Sequence, residues 1–362
     1  FRSFNKNNEN FFTRNGCAFG AWSGDNYKIR NATKPLFNSY PKPCRFLIMK
    51  VTKYLKDANN TLFSFEIMPP MRGGSAEKIF SLVDQLMPYN PPFIDLTSRS
   101  AEVYYENRSN SNPIKHVKRK RPGTIGLSAA IKNRYNVEAV PHILCNGFTK
   151  EETEDALIEL NYLGIDNVLA VRGDDLRKVP KKSDKRSRNK YASDLVEQIV
   201  KLNQGKYLED LDDSSPTNFC IGISGYPECH FDSPDPESDL RYTKLKVDQG
   251  ADYIVTQMFY DNQVYFDFVD RARSAGINVP IIPGIKIITL ENHLEIIPDI
   301  FHIDIPEVLQ SKIRGKSKNE IASAGIDWAM QQVQELVDAN VPCVHFYIMS
   351  SAKAVTEIVS QF

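Results

Sequence analysis

The chain is predicted to be an α/β protein folded as a single-domain (β/α)8 TIM barrel. Three observations predict it: a strand-then-helix pattern that recurs eight times, a span of about three hundred residues that carries it, and the lack of a glycine-rich nucleotide loop. Short β-branched or aromatic runs at 62–68, 93–97, 138–144, 167–172, 219–226, 253–260, 280–285 and 344–349 each lead through a polar loop into an amphipathic stretch. Alternating strands and helices imply parallel strands joined by right-handed crossovers, and eight such units match the size of a closed barrel. A doubly wound open sheet is the competing architecture. It is disfavoured because no GxGxxG follows the first strand and no GxxxxGK[ST] occurs anywhere.

Each element has its own signal. Residues 1–48 are rich in Asn and Phe, poor in acids and without apolar periodicity, and Met49 is the first methionine. They are expected to be a non-native or disordered leader ahead of a barrel that occupies 49–362; a transit peptide would need an amphipathic Arg-rich helix that is not evident. Lys50 to Asp57 reads as a short amphipathic helix. Apolar residues at three and four spacing mark the helices after the first strand (Ile79, Leu82, Val83, Leu86), the third (Ala156, Leu157, Leu160, Leu163), the fourth (Leu195, Val196, Ile199) and the sixth (Phe266, Val269, Ala272). Residues 176–190 hold eight basic side chains and one acid and read as a solvated loop, with a phosphate-gripping lid as the less favoured alternative. The basic run 115–121 lies in a long connection after the second strand.

Composition narrows the function classes. In 362 residues, forty-five basic and forty-five acidic side chains cancel, so no overall field recruits nucleic acid or an anionic membrane. Neither basic run interleaves aromatic residues, which further disfavours nucleic acid. No apolar run approaches the roughly eighteen residues of a membrane span. The six cysteines are scattered without CxxC or metal-ligand spacing, so no metal site is expected and a cytoplasmic location is the simplest expectation.

Glu66 carries the chemistry. In Leu62-Phe63-Ser64-Phe65-Glu66-Ile67-Met68, period-two alternation puts Phe63, Phe65 and Ile67 on one face and Ser64 and Glu66 on the other, and Pro69-Pro70 ends the strand just beyond. A carboxyl withdrawn from water has its charged form penalised, so it can hold a proton near neutrality and act as a general acid; a structural ion pair is the plainer alternative. Other strands present polar groups at the same end: Thr97, His142, Arg172-Gly173-Asp174, Tyr226-Pro227-Glu228 with His230, Gln257, and His345 with Tyr347. Taken singly, His142 reads as a satisfied core histidine and Lys246 as a surface lysine. Asp239 and Lys246, seven apart on a helix, share a face and can reach one ligand.

Six segments in register, Phe63-Ser64-Phe65-Glu66-x-x-Pro69-Pro70, Pro141-His142-Ile143-Leu144-Cys145, Ala170-Val171-Arg172-Gly173-Asp174, Tyr191-Ala192-Ser193-Asp194-Leu195-Val196, Gly225-Tyr226-Pro227-Glu228 and Thr256-Gln257-Met258-Phe259-Tyr260-Asp261, resemble the catalytic barrel of the methylenetetrahydrofolate reductase family. The resemblance runs from about Leu62 to Ser350. It implies a flavoprotein barrel that binds FAD and reduces 5,10-methylenetetrahydrofolate to 5-methyltetrahydrofolate with NADH or NADPH in a ping-pong cycle, generally as a homo-oligomer. It implies Glu66 as general acid, Asp174 as the carboxylate near flavin and pterin, and Gln257 as a contact to folate and nicotinamide in turn. For FAD it implies Thr97, His142, Arg172, Gly173, Asp174, Ala192, Tyr226, His230, Asp239 and Lys246, with Arg172 and Lys246 near the diphosphate.

Three departures accompany the resemblance. The family's Thr-Tyr-Gly-Ala is Thr97-Ser98-Arg99-Ser100 here, a folate-holding arginine falls at Ser351 with Lys353 nearby, and an aromatic that stacks on folate falls near Ile297 with Phe301 a possible replacement. The sequence ends soon after the eighth strand, so the adenosylmethionine-binding regulatory domain of longer relatives, and its feedback, are not expected. Two rival readings are another FAD barrel oxidoreductase, similar to proline dehydrogenase, and an inactive barrel kept as a binding protein.

Overall fold

In a computed structural model, the described residues are 49–100, 102–106, 114–173, 187–348 and 351–362. The leader, Asp174 and most of the basic loop therefore lie outside the described residues. Eight strands form the closed barrel: β1 (Leu62–Ile67), β2 (Phe93–Leu96), β5 (Glu138–Leu144), β6 (Asn167–Val171), β7 (Cys220–Gly225), β8 (Tyr253–Met258), β9 (Ile281–Ile285) and β10 (Cys343–Tyr347). All neighbours pair in parallel, and β1 closes the ring between β10 and β2. These match the eight expected runs. The two remaining strands, β3 (Glu102–Glu106) and β4 (Ile114–Lys118), form an antiparallel hairpin after β2. The basic run 115–121 is thus partly strand, a correction to its reading as a plain connection.

The helices α2 (Glu77–Leu86), α3 (Thr124–Tyr135), α4 (Lys150–Tyr162), α5 (Ala192–Asn203), α6 (Pro236–Asp248), α7 (Asn262–Ser274), α8 (His293–Phe301), α9 (Glu307–Ile313), α10 (Lys318–Asp338) and α11 (Lys353–Val359) complete the chain. Apolar side chains between strands and helices form the main core, in which Phe65 and Ile67 meet Ile79, Val83 and Leu86. Leu163, at the end of the α4 stripe, is instead exposed.

The barrel interior has an apolar floor and a polar mouth. The helix α1 (Val51–Asp57) joins Val51 and Leu55 to Phe93, Val140, Leu169, Tyr253 and Ile282, and so plugs the lower end. Above them, Ser64 Oγ lies 2.8 Å from His345 Nδ1. Two aromatic rings cross the interior because glycines leave room. A Cβ on Gly222 would come within 2.4 Å of the Tyr253 ring, and one on Gly284 within 2.4 Å of the Thr256 carbonyl and 2.6 Å of the Tyr347 ring. Gly284→Ala is therefore expected to cost about 1–3 kcal/mol through overpacking. A lowered urea midpoint at unchanged slope would show it.

Candidate active site

Register positions the acid. Glu66 stands opposite Tyr347 on β10 and Asp95 on β2, and His142 follows one strand further round. All four point inward because Phe65, Ile94, Leu96 and Ile143, their chain neighbours, pack outward against helices. His142 Nε2 lies 3.5 Å from Glu66 Oε2 and 3.4 Å from Asp95 Oδ2. The Glu66 side chain is 18% exposed and that of Asp95 fully buried.

Burial pushes the Glu66 carboxyl up to about 7. His142, Lys286 and Arg99 oppose that rise, and the Asp95 charge reinforces it. His142 is raised in spite of its own burial, because Asp95 and Glu66 favour its charged form. Lys286 is brought down to about 8 by burial, against the pull of Glu66, and its Nζ donates to the Tyr347 carbonyl at 3.3 Å. The arrangement is a proton-holding carboxyl whose ionised form has three cationic neighbours, which suits an acid that must both keep and give up its proton near neutrality.

The other expected residues gather on the neighbouring strands. Arg172 follows β6 and pairs with Asp232, and Gly173 takes a left-handed turn (φ 81°). Tyr226 meets His230 edge-on at 4.5 Å. Burial and the nearby cations Arg172 and Lys246 depress His230, while Asp239 and Asp232 oppose that effect. Lys246 donates to the Ser224 carbonyl at 3.0 Å and is lowered to about 8 by burial, with Asp239 favouring its charge. Arg172, Tyr226, His230, Asp239 and Lys246 thus form one group. Ala192 opens α5, tied to the mouth by the Cys145 thiol donating to the Tyr191 carbonyl at 3.3 Å.

Thr97 lies just past β2, where its Oγ is buried without a hydrogen-bond partner among the described residues. Gln257, on β8, folds its amide oxygen back onto the Met258 N–H at 3.0 Å. Ile297 is buried in a satellite cluster with Leu294 and Leu309, Phe301 is exposed at the end of α8, and Ser351 lies just before α11. His345 is a core histidine, depressed to about 4 by burial.

Asp95 and Lys286 were not among the expected site residues. Each is an ionisable group set among buried apolar neighbours, Ile94 and Leu96 for one and Ile285 and Ile287 for the other. That is the signal that singled out Glu66.

A closed parallel barrel with a proton-holding carboxyl at the C-terminal ends of its strands has the layout of a barrel enzyme. The family model for methylenetetrahydrofolate reductase matches residues 50–362, and the chain belongs to that family. It is similar to methylenetetrahydrofolate reductase 1 of Schizosaccharomyces pombe (29% identity, covering 83% of this chain and 45% of that one) and to methylenetetrahydrofolate reductase (NADH) 1 of Arabidopsis thaliana (30%, covering 84% and 49%). The chain therefore spans about half the length of these eukaryotic relatives. It is also similar to 5,10-methylenetetrahydrofolate reductase of Escherichia coli (30%, covering 80% and 86%). Among solved structures, an uncharacterized Clostridium thermocellum protein that binds two copies of 5-methyl-5,6,7,8-tetrahydrofolic acid shares the fold, with TM-score 0.51 and 14% identity over 85% of this chain and 96% of that one. Among the described residues no helix is long and apolar enough to cross a membrane.

Proposed function

We propose that this chain reduces 5,10-methylenetetrahydrofolate to 5-methyltetrahydrofolate with NADH or NADPH as donor and FAD as cofactor, and that Glu66 is the general acid. The observation that carries this reading is the Glu66 carboxyl, held up to about 7 beside Asp95 and His142 at the mouth of a family-matched barrel. FAD, when bound, supplies a hydride carrier that accepts from the nicotinamide and donates to the folate.

The residues present fit such a group. Thr97 Oγ is a buried polar atom without a hydrogen-bond partner among the described residues, His142 presents its ring at the same mouth, and Arg172 and Lys246 offer charge to a diphosphate. Gly173 keeps the backbone open beside them, Asp239 and His230 offer polar contacts, Tyr226 an aromatic face, and Ala192 the start of a helix. Asp174 is assigned to the same place on the family resemblance and Gln257 to the substrate.

Glu66 gives its proton to the folate amine nitrogen as the methylene bridge opens, leaving an iminium carbon to accept hydride. The proton stays on that nitrogen as an N–H, and a single hydride turns the iminium CH2 into the methyl group, so one proton and one hydride balance the reduction. The carboxylate left behind is held by His142, with Lys286 and Arg99 in electrostatic reach. Because donation needs the protonated form, folate reduction is expected to fall as pH rises through about 7. Lys286→Met removes a cation that favours the carboxylate, so the alkaline limb of that profile is expected to move to higher pH. An unchanged limb in single-turnover assays would exclude Lys286 from tuning the acid.

The test of the function is an absorbance spectrum of the purified protein, then anaerobic titration with each nicotinamide, then methylenetetrahydrofolate. Bound flavin that is bleached by nicotinamide and restored by folate supports the proposal. Flavin that responds to proline instead would favour the proline dehydrogenase-like reading, and a protein that takes up no flavin would favour a binding role.

A further inference from the structure

His142 also lines a cavity of about 180 Å³ between the loop after β2, the β4–α3 connection and the end of β5. Three arginines line it, Arg99, Arg119 and Arg121, and among the described residues no acidic side chain does. Two of them are held in place. The Arg119 guanidinium lies 4.4 Å from the centroid of the Phe148 ring, and Arg121 Nη1 donates to the Pro69 carbonyl at 2.6 Å. The loop that carries them is fixed by Arg72, whose Nε donates to the Arg119 carbonyl at 3.1 Å and whose N–H donates to the Lys120 carbonyl at 2.7 Å.

The start of α3 opens onto the same cavity. Gly123, Thr124, Ile125 and Gly126 line it, no side chain caps the helix, and its first turn holds no acid. The first N–H groups of a helix have no acceptor within it, and the helix dipole favours an anion there. Thr124 Oγ donates to the Thr97 carbonyl at 3.0 Å, which pins this end of α3 to the mouth.

The fixed guanidinium forks of Arg119 and Arg121 and an uncapped helix start, converging on one cavity that Arg99 also lines, are suited to a tetrahedral dianion. Arg172 and Lys246, the cations assigned to the FAD diphosphate, line none of this cavity. His142 joins the two regions, since it lines the cavity and lies 3.5 Å from Glu66.

We propose that this arginine basin binds a phosphate monoester, borne on the ribose of the reduced nicotinamide donor, so that the chain selects NADPH over NADH. The inference rests on the reading of the chain as a nicotinamide-dependent reductase, and it adds the chemical feature by which the donor is chosen.

The test is calorimetric titration of the flavin-loaded protein with adenosine 2′,5′-bisphosphate, adenosine 5′-monophosphate and inorganic phosphate. Wild type, Arg119→Gln and Gly126→Asp are compared. A Cβ at Gly126 meets no atom within 4 Å, so the aspartate enters open space and sets a carboxylate in the basin without a clash. The bisphosphate is expected to bind at least about tenfold more tightly than the monophosphate in wild type, the scale of one charge-assisted contact. Both variants are expected to lose that preference while their thermal midpoints stay unchanged.

Equal binding of the two nucleotides to wild type, or a preference that survives both substitutions, overturns the proposal. Binding of inorganic phosphate that needs Arg119, without any gain for the bisphosphate, overturns the donor assignment and identifies free phosphate as the occupant. None of these titrations needs folate turnover, so a protein that discriminates the nucleotides yet fails to reduce folate would refute the proposed activity alone.

Discussion

Glu66→Gln is expected to leave reduction of the bound flavin by nicotinamide near its wild-type rate and to slow folate reduction by roughly 10²–10⁴-fold, the usual contribution of a positioned general acid. Glutamine keeps the shape and a hydrogen-bonding end but has no proton to give at neutral pH. The two half-reactions make the prediction selective, because hydride transfer from nicotinamide needs no proton from Glu66. Rapid-mixing absorbance measurements of each half-reaction separate them. A variant that reduced folate at the wild-type rate would remove Glu66 from the role, whereas one that lost both half-reactions together would point to a damaged flavin site.

The same substitution is expected to stabilise the protein, and only at higher pH. In the unfolded chain the Glu66 carboxyl takes its ordinary value of 4.5, and in the folded chain it is raised to about 7. Below 4.5 both states hold the proton and the group costs nothing. Between 4.5 and 7 the native state holds more of it than the unfolded state does, so stability falls as pH rises. Above 7 the buried charge exerts its full cost, on the order of 3 kcal/mol at most. Glutamine escapes that cost, although His142 loses a partner, so the net gain at pH 8 is set at about 1–3 kcal/mol. Urea unfolding of the two proteins at pH 4 and pH 8 checks it. Equal midpoints at pH 8, or a glutamine variant less stable there, would show that the native carboxyl is not penalised.

Activity and stability thus pull Glu66 in opposite directions, as a strained functional group should. The neighbours share that tension. Asp95 is fully buried and both of its oxygens lack a hydrogen bond, and His142 is the nearest cation recorded for it among the described residues. Lys286 gives up part of its basicity to sit in the same mouth.

The barrel was legible because its signals are local. Period-two runs bounded by turn residues give the strands within about two residues at each end. The stripe Ile79, Leu82, Val83 and Leu86 gives the inner face of α2 directly. The β3–β4 hairpin was hidden because Ile114-Lys115-His116-Val117-Lys118 lacks period-two alternation, its apolar Ile114 and Val117 being three apart, and its charge suggests a loop. The apolar positions of α1 were visible, but not that Val51 and Leu55 would close the barrel floor, since that surface exists only after the strands close.

The site divides in the same way. Glu66 announced itself as a carboxyl in an apolar strand. Its partners Asp95 and His142 come from two other strands and Lys286 from just past the end of a third, and only the closing of the barrel brings them beside it. The arginine basin was the least legible feature. Arg99 and the pair Arg119 and Arg121 belong to two separate turns that meet only when β2, the hairpin and α3 fold together. In sequence, the last two are simply part of a basic run.

Infrared titration of the protonated carboxyl band, wild type against Glu66→Gln, reads the protonation of this side chain itself. The wild type is expected to show a carboxylic acid band that disappears with a midpoint near pH 7 and is missing from the variant. A band that the substitution leaves unchanged, or one that has already vanished by pH 5, would mean that Glu66 carries no proton at neutrality.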